Sequence, residues 1–317
     1  MSSGVRPRPD PPHNPNATPM TTNHVRQPFP YLLLTPALAI LLVLVGYPLV
    51  KMIITSFQTY GRAQAFGAPA PWTGLSNYVK VLTGTDFWMV LARSFTFMIV
   101  AVTLTIVLGT LVALFMMQLT KGFRLLVSIG LLLAWAMPAL TSVIVWGWMF
   151  DTKYGVINFL LTKISGQDWM GHSWLLNPVS FFAVLTLIIV WQGIPFVALT
   201  LYAGLTQVDA AVMEAAAIDG ASPVKRFFQV QMPITRPIFT VLIVLSVIWD
   251  LRVFAQVYAL QGIGGNTDQT STLGVWIYQR GSAGGDFGFS AAAAVIMVIL
   301  MLVISSYYVR QTLKQED

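Results

Sequence analysis

The sequence contains no cysteine, which excludes disulfides, thiolate metal sites and cysteine nucleophiles. Histidine is nearly as scarce: His13, His24 and His172 are the three in the chain, and none has a carboxylate at ligand or relay spacing. Neither a metal centre nor a His-based catalytic set is expected, and solvated loop histidines are the plain reading. Charge is the third shortage. Charged residues make up 9% of the chain and hydrophobic ones 56%, where a soluble domain carries roughly 25% charged. A chain so composed cannot clothe a water-facing surface and reads as an integral membrane protein. Its net charge of +6 does not point to nucleic acid, because the cations are scattered and sit beside apolar runs. No Gly-x-x-x-x-Gly-Lys-Ser/Thr string occurs, so the chain has no phosphate-binding loop of its own. No cofactor and no enzymatic activity are expected in this chain.

What the chain has is apolar length. Residues 1–28 are rich in Pro and Asn and nearly free of large apolar side chains, so a disordered tail is expected there. No signal-peptide core follows the early charges, and Met20 offers a second start. Six apolar runs then approach the roughly 20 residues needed to cross hydrocarbon: about Tyr31–Phe57, Arg93–Leu119, Phe123–Phe150, Val179–Ala203, Pro237–Leu260 and Phe289–Val309. Their uninterrupted length argues for helices rather than barrel strands. The expected fold class is an all-α integral membrane protein with six transmembrane helices over residues 29–317 and a polar loop at 204–236. Pro138 and Pro195 fall inside the third and fourth runs and should kink them or loosen their hydrogen bonding. Trp135, Trp146 and Trp148 read as interfacial or packing residues.

Lysine and arginine set the orientation. With the N-terminus inside, the inner segments hold ten of them, from Arg6 to Lys314, and the outer loops five: Arg62, Lys80, Lys153, Lys163 and Arg280. That bias puts both termini and the polar loop in the cytoplasm of a multi-pass protein.

Within the polar loop, Glu214–Pro233 is an island of charge between apolar runs. Met213–Ile218 is rich in helix formers, Gly220 can take the positive φ that ends a helix, and Ser222-Pro223 reads as an N-cap with a first-turn proline. Two short helices bent at Gly220 follow, a shape that suits a partner's groove. Polar groups also interrupt two of the runs. Asp250 and Arg252 lie near the middle of the fifth, where an unpaired charge is costly. Ser246, Trp249, Asp250 and Val253 recur at helical spacing on one face, while Arg252 points off it. A hydroxyl, an aromatic plane and a carboxylate together suit a sugar; the competing reading is a structural Asp–Arg pair. In the fourth run, Trp191-Gln192-Gly193-Ile194-Pro195-Phe196 fits a broken helix beside a transport site. It fits equally an ordinary proline kink in which Gly193 allows close helix contact. The residues alone leave both open.

Glu214-Ala215-Ala216, Gly220 and Val230-x-Met232-Pro233 resemble, in residue type and spacing, the EAA signature of permease subunits in binding-protein-dependent ABC importers. Val230 and Met232 stand where that family usually has Ile and Leu. The likeness runs from about the second apolar run to the C-terminus. Tyr258–Gly265, Thr270–Leu273 and Gly285–Gly288 look like the carbohydrate-importer branch, the maltose-permease group. As a whole the chain is most similar to actinobacterial trehalose importer permeases. The resemblance implies the type I importer permease fold in a bacterial plasma membrane. It implies that the island is a coupling helix, with Glu214, Ala215, Ala216, Asp219, Gly220 and Pro233 docking on a dimer of separate ATP-binding subunits. Those subunits would bind the ATP and magnesium. It further implies a second, homologous permease chain and an extracytoplasmic sugar-binding (lipo)protein that meets the Gly262–Thr272 segment. The cargo would be a sugar, a disaccharide such as trehalose, moved by alternating access.

Alignment through the motif puts Gly193, Phe196, Ser246, Trp249 and Asp250 at the family's sugar site, with Gln192 and Arg252 beside them. Asp250 stands where Asn is common, and Phe196 where Tyr is. The rival reading is an ion-gradient-driven secondary transporter using Asp250. It predicts paired carboxylates and inverted repeats, whereas the sequence shows one central carboxylate and no repeat.

Overall fold

The computed structural model describes residues 29–313, so the tail expected at 1–28 lies outside the described residues. The chain divides into two compact units, residues 1–49 and 50–317. The first holds α1, Phe29–Leu41, and a π-helical turn, Leu42–Gly46, that leads into α2, Tyr47–Ser56. The stretch Leu34–Ser56, 23 residues, is long and apolar enough to cross a membrane.

The second unit continues with α3 (Thr85–Gln118), α4 (Lys121–Trp135), α5 (Ala139–Met149) and α6 (Pro178–Leu205). The polar loop forms α7 (Ala210–Ile218) and α8 (Pro223–Arg226). Then come α9 (Arg236–Leu251), α10 (Ala255–Gly264), α11 (Leu273–Tyr278) and α12 (Phe287–Leu313). The described chain is helical with short connections; its β content is two isolated bridges, Gln58–Trp72 and Gly61–Asp286.

Helices in lipid have no hydrophobic drive to associate, so close van der Waals packing must hold them together. The seam between α3 and α6 is built accordingly from small residues. Ala101, Ala113 and Ala198 are fully buried, Gly109 lies against Val197, and Gly193 lies against Thr105. A Cβ on Gly193 would stand 2.8 Å from Thr105 Cγ2, closer than carbon atoms pack. Of the two readings left open for the fourth run, the broken helix is not seen: α6 is unbroken through residues 191–196. Pro195 deletes one helical N–H, and a helix packed against α3 and α4 tolerates the single loss.

The third and fifth runs depart further from expectation. The third, expected as one span over 123–150, is α4 and α5 meeting at a bend of 98°. Pro138 sits at the break with φ −59° and ψ 142°, and its ring bars helical geometry from the residue before it, so the foreseen kink becomes a complete break. The fifth, expected over 237–260, stops at Leu251; residues 252–254 leave the helix, with Phe254 at φ −122° and ψ −58°. No Gly or Pro marks that break. The Thr272 hydroxyl donates to Val253 O at 3.3 Å, so a distant segment supplies a partner that the helix would otherwise have provided. At 1.5 Å per residue, the 16 residues of α9 cover about 24 Å, less than the ~30 Å of hydrocarbon. At its other end α9 is joined to Pro223–Ile234 by a bend of 78°.

Two arginines fix chain reversals. Arg124 donates to Met116 O at 3.1 Å and Leu119 O at 2.7 Å at the end of α3, where Met116 O also accepts from Leu119 N at 3.3 Å. Arg62 donates to Ala283 O at 2.7 Å, tying the segment after α2 to the one before α12.

Candidate functional site

A cavity of about 570 Å³ forms where the breaks at Pro138 and at 252–254 both face α6. Trp135, Met137 and Ala139 come from the α4–α5 break, and Ile189, Gln192 and Gly193 from α6. Trp249 and Asp250 come from the end of α9, Arg252 and Val253 from the break, and Gln256 from α10. The amides form a short chain: Gln256 Nε2 donates to Gln192 Oε1 at 3.4 Å, and Gln192 Nε2 donates to Met137 O at 3.2 Å. Asp250 Oδ2 is buried and has no hydrogen-bond partner. Buried polar atoms are nearly always paired, so this oxygen is an acceptor that the described residues leave unfilled. Asp250 is not locked to Arg252: among the described residues, the ion pair is Arg280 with Asp86, at 2.7 Å. Two larger cavities, about 900 and 720 Å³, are walled almost wholly by apolar side chains.

Of the residues singled out from the sequence, Gln192, Gly193, Trp249, Asp250 and Arg252 come together on this cavity. Phe196 lies behind it, with ring centroids 5.1 Å from Trp249 and 6.4 Å from Trp135. Ser246 does not line it; the side chain is 5% exposed, one turn back in the packed part of α9. Arg252, expected to point off the lining face, reaches the cavity because the helix has already ended there. Trp135 was read as a packing residue and lines the wall. Gln256, not singled out from the sequence, also lines it, three residues after Val253 and seven after Trp249 on the same helical face.

The other candidate surface is the polar loop. Asp209 caps α7 by accepting from Ala211 N at 2.9 Å. Gly220 closes it at φ +78°, with Ala221 N donating to Ala216 O at 3.0 Å and Gly220 N to Ala217 O at 3.1 Å. That pair of bonds is a Schellman motif, which needs a left-handed residue at this position. Ser222 then caps α8, accepting from Lys225 N at 3.4 Å. None of the α7 residues is buried. Ile218 is 86% exposed and Val224 66%, on either side of the bend. Glu214, Ala215, Asp219, Gly220 and Pro233 are exposed and Ala216 half-exposed along this segment.

A third feature connects to the cavity from the far side. The segment at 262–272 is tethered by Gln261 Nε2 donating to Thr270 and Ser271 hydroxyls at 3.0 and 3.1 Å. Ser94 Oγ accepts from Leu273 N at 2.8 Å, and Thr272 holds the break at Val253 as described. His172 is exposed, as a loop histidine, and meets Trp169 and Trp174 edge-on at 5.2 and 4.8 Å.

Residues 105–312 match the family model described as the binding-protein-dependent transport system inner membrane component. The diacetylchitobiose uptake system permease protein DasB of Streptomyces coelicolor is 42% identical over 288 residues, which is 91% of this chain and 88% of that protein. The trehalose/maltose transport system permease protein MalF of Thermococcus litoralis is 34% identical over 266 residues, 83% of this chain and 86% of that protein. Among solved structures, a chain of a bacterial ABC transporter involved in the import of the acidic polysaccharide alginate superposes with a TM-score of 0.77. Its sequence identity is 20%, and the match covers 91% of this chain and 96% of that one.

Proposed function

The chain belongs to the binding-protein-dependent transport system inner membrane components, and from that premise we propose that it carries a disaccharide into the cell through the cavity at Asp250. As a member of the family it is a multi-pass permease subunit of a carbohydrate ABC importer, with the all-α type I permease fold and no catalytic chemistry of its own. The disaccharide is the finer step. Its support is the set of groups around one cavity: a carboxylate with an unfilled oxygen, a guanidinium, two amides and two indoles. Sugar hydroxyls donate and accept, so an acceptor, a donor and amides that do both complement them, while indole faces cover the ring. The relatives' names bracket the class, diacetylchitobiose on one side and trehalose or maltose on the other. Trehalose, the sugar the sequence suggested, falls inside it.

In this reading the transport step is alternating access. A second permease encloses the path, and an extracytoplasmic sugar-binding protein delivers the sugar near residues 262–272. ATP-binding subunits dock on α7 and α8 through Glu214, Ala215, Ala216, Asp219, Gly220 and Pro233. They drive the switch by binding one state more tightly than the other. An ion-driven carrier is not favoured, because it needs a second intramembrane carboxylate beside Asp250.

Uptake of labelled trehalose and diacetylchitobiose into proteoliposomes holding the assembled complex tests the proposal. Asp250→Asn should lower uptake of the transported sugar about tenfold, the size of a lost hydrogen bond to a charged group, with assembly intact. Unchanged uptake across a titration of both sugars would remove Asp250 from the site. Uptake that survives without ATP and collapses with a protonophore would overturn the ATP-driven reading.

A further inference from the structure

At the end of α9 remote from Asp250 lies the cavity of about 720 Å³. It is a furrow between the last turns of α3 on one side and, on the other, the segment at 223–232 and the first turns of α9. Val107, Leu111 and Leu114 form one wall, Ile243 the other, and Phe227 part of the floor. Val107 is 50% exposed, Leu111 56% and Ile243 41%, so the furrow opens sideways along two membrane-embedded helices rather than into the packed interior. Arg226 lies at its inner end, and the guanidinium Nε is buried without a hydrogen-bond partner.

An unpartnered buried guanidinium nitrogen asks for an anion, since its desolvation is otherwise uncompensated. Among the described residues no carboxylate lines the cavity, so they do not supply that anion. Gln118, exposed in the last turn of α3, adds an amide donor at the same level. Lys225 and Arg236 add exposed positive charge to the segments next to it. A soluble anion would answer Arg226 and leave the apolar walls unfilled. A molecule with an anionic head and a long apolar tail answers both. Its head would lie where α3 ends, which is the depth at which a spanning helix reaches the head-group layer. Basic pockets between spanning helices are the usual sites for anionic lipid heads.

We propose that this furrow is a binding site for an anionic phospholipid, with its phosphate on Arg226 and Gln118 and one acyl chain along Val107, Leu111 and Ile243. Arg226 closes α8, so the lipid head braces the segment that continues from Gly220 into α9. Through that contact the charge of the surrounding leaflet acts on the bend at the base of α9.

The test uses the assembled complex, delipidated and then titrated with phosphatidylglycerol or phosphatidylcholine, with bound lipid read by native mass spectrometry. Wild type should retain phosphatidylglycerol in preference to phosphatidylcholine. Arg226→Gln should cut phosphatidylglycerol retention about fivefold, the effect of one cation beside an anionic lipid, and leave phosphatidylcholine unchanged. Leu111→Trp fills the furrow without altering charge and should also reduce retention. Equal retention in wild type and both variants overturns the site. Displacement of the lipid by millimolar inorganic phosphate assigns the pocket to a soluble anion and overturns the lipid. Because the chain has no cysteine, Leu111→Cys gives this subunit a single photo-crosslinker when it is labelled before assembly with its partners. Adducts with lipid support the proposal, whereas adducts with a partner subunit or with residues 307–317 of this chain overturn it.

Discussion

Gly193 is constrained from two directions: its Cα borders the cavity, and its missing side chain lets α6 meet Thr105. Thr105 is buried at 3% exposure, and as a β-branched residue on a helix it has little rotamer freedom with which to retreat. Gly193→Ala should therefore cost about 1–3 kcal/mol by overpacking, read as a lower Tm of the purified complex. Thr105→Ser removes the methyl that the new Cβ would meet and should restore most of that loss. A single variant that melts with wild type would contradict the seam. Legibility in the sequence also varies residue by residue. Asp250 and Gln192 could be read because a polar side chain in an apolar run has few explanations. Ser246 shares the helical face of Trp249 but lies one turn deeper, where neighbouring helices bury it, and that depth is set by tertiary packing rather than by spacing. Gln256 stands seven residues after Trp249, beyond a break that no Gly or Pro announces.

At the scale of elements, the bend between α7 and α8 was legible because it is local: a left-handed glycine, a serine cap and a proline within four residues. The break at 252–254 was not, because its hydrogen bond comes from Thr272, nineteen residues away. Pro138 announced a distortion, though its size, a bend of 98°, could not be read from the residue alone. The polar loop permits a test that separates shape from contact. Gly220→Val forces a β-branched residue into left-handed geometry at a cost of about 1–2 kcal/mol, and should loosen α7 as seen by amide hydrogen exchange. Glu214→Ala should leave α7 protected. Both should uncouple ATP hydrolysis from uptake, the first by moving the surface and the second by removing a contact. Wild-type uptake in both variants would count against docking on this loop.

For the whole molecule, the long apolar runs gave the membrane class directly, while orientation rests on ten basic residues against five. The chain's lack of cysteine makes that testable without background labelling. Tyr154 and Ile218, 81% and 86% exposed, fall on opposite sides of the expected membrane. An impermeant maleimide should label Tyr154→Cys on intact cells and Ile218→Cys in inverted vesicles. The reverse pattern would invert the molecule and remove the polar loop from the cytoplasm.

The bends at both ends of α9 make it a lever. Its base lies at the bend at Thr235, beside the exposed loop, and its tip carries Trp249 and Asp250 into the cavity. With an arm of about 24 Å, a tilt of about 10° at the base sweeps the tip by about 4 Å. That exceeds the length of a hydrogen bond, so a small rotation at the loop suffices to make or break every contact Asp250 offers. Thr272 ties Val253, just past that tip, to a different segment, so such a tilt must carry the segment along or part the bond.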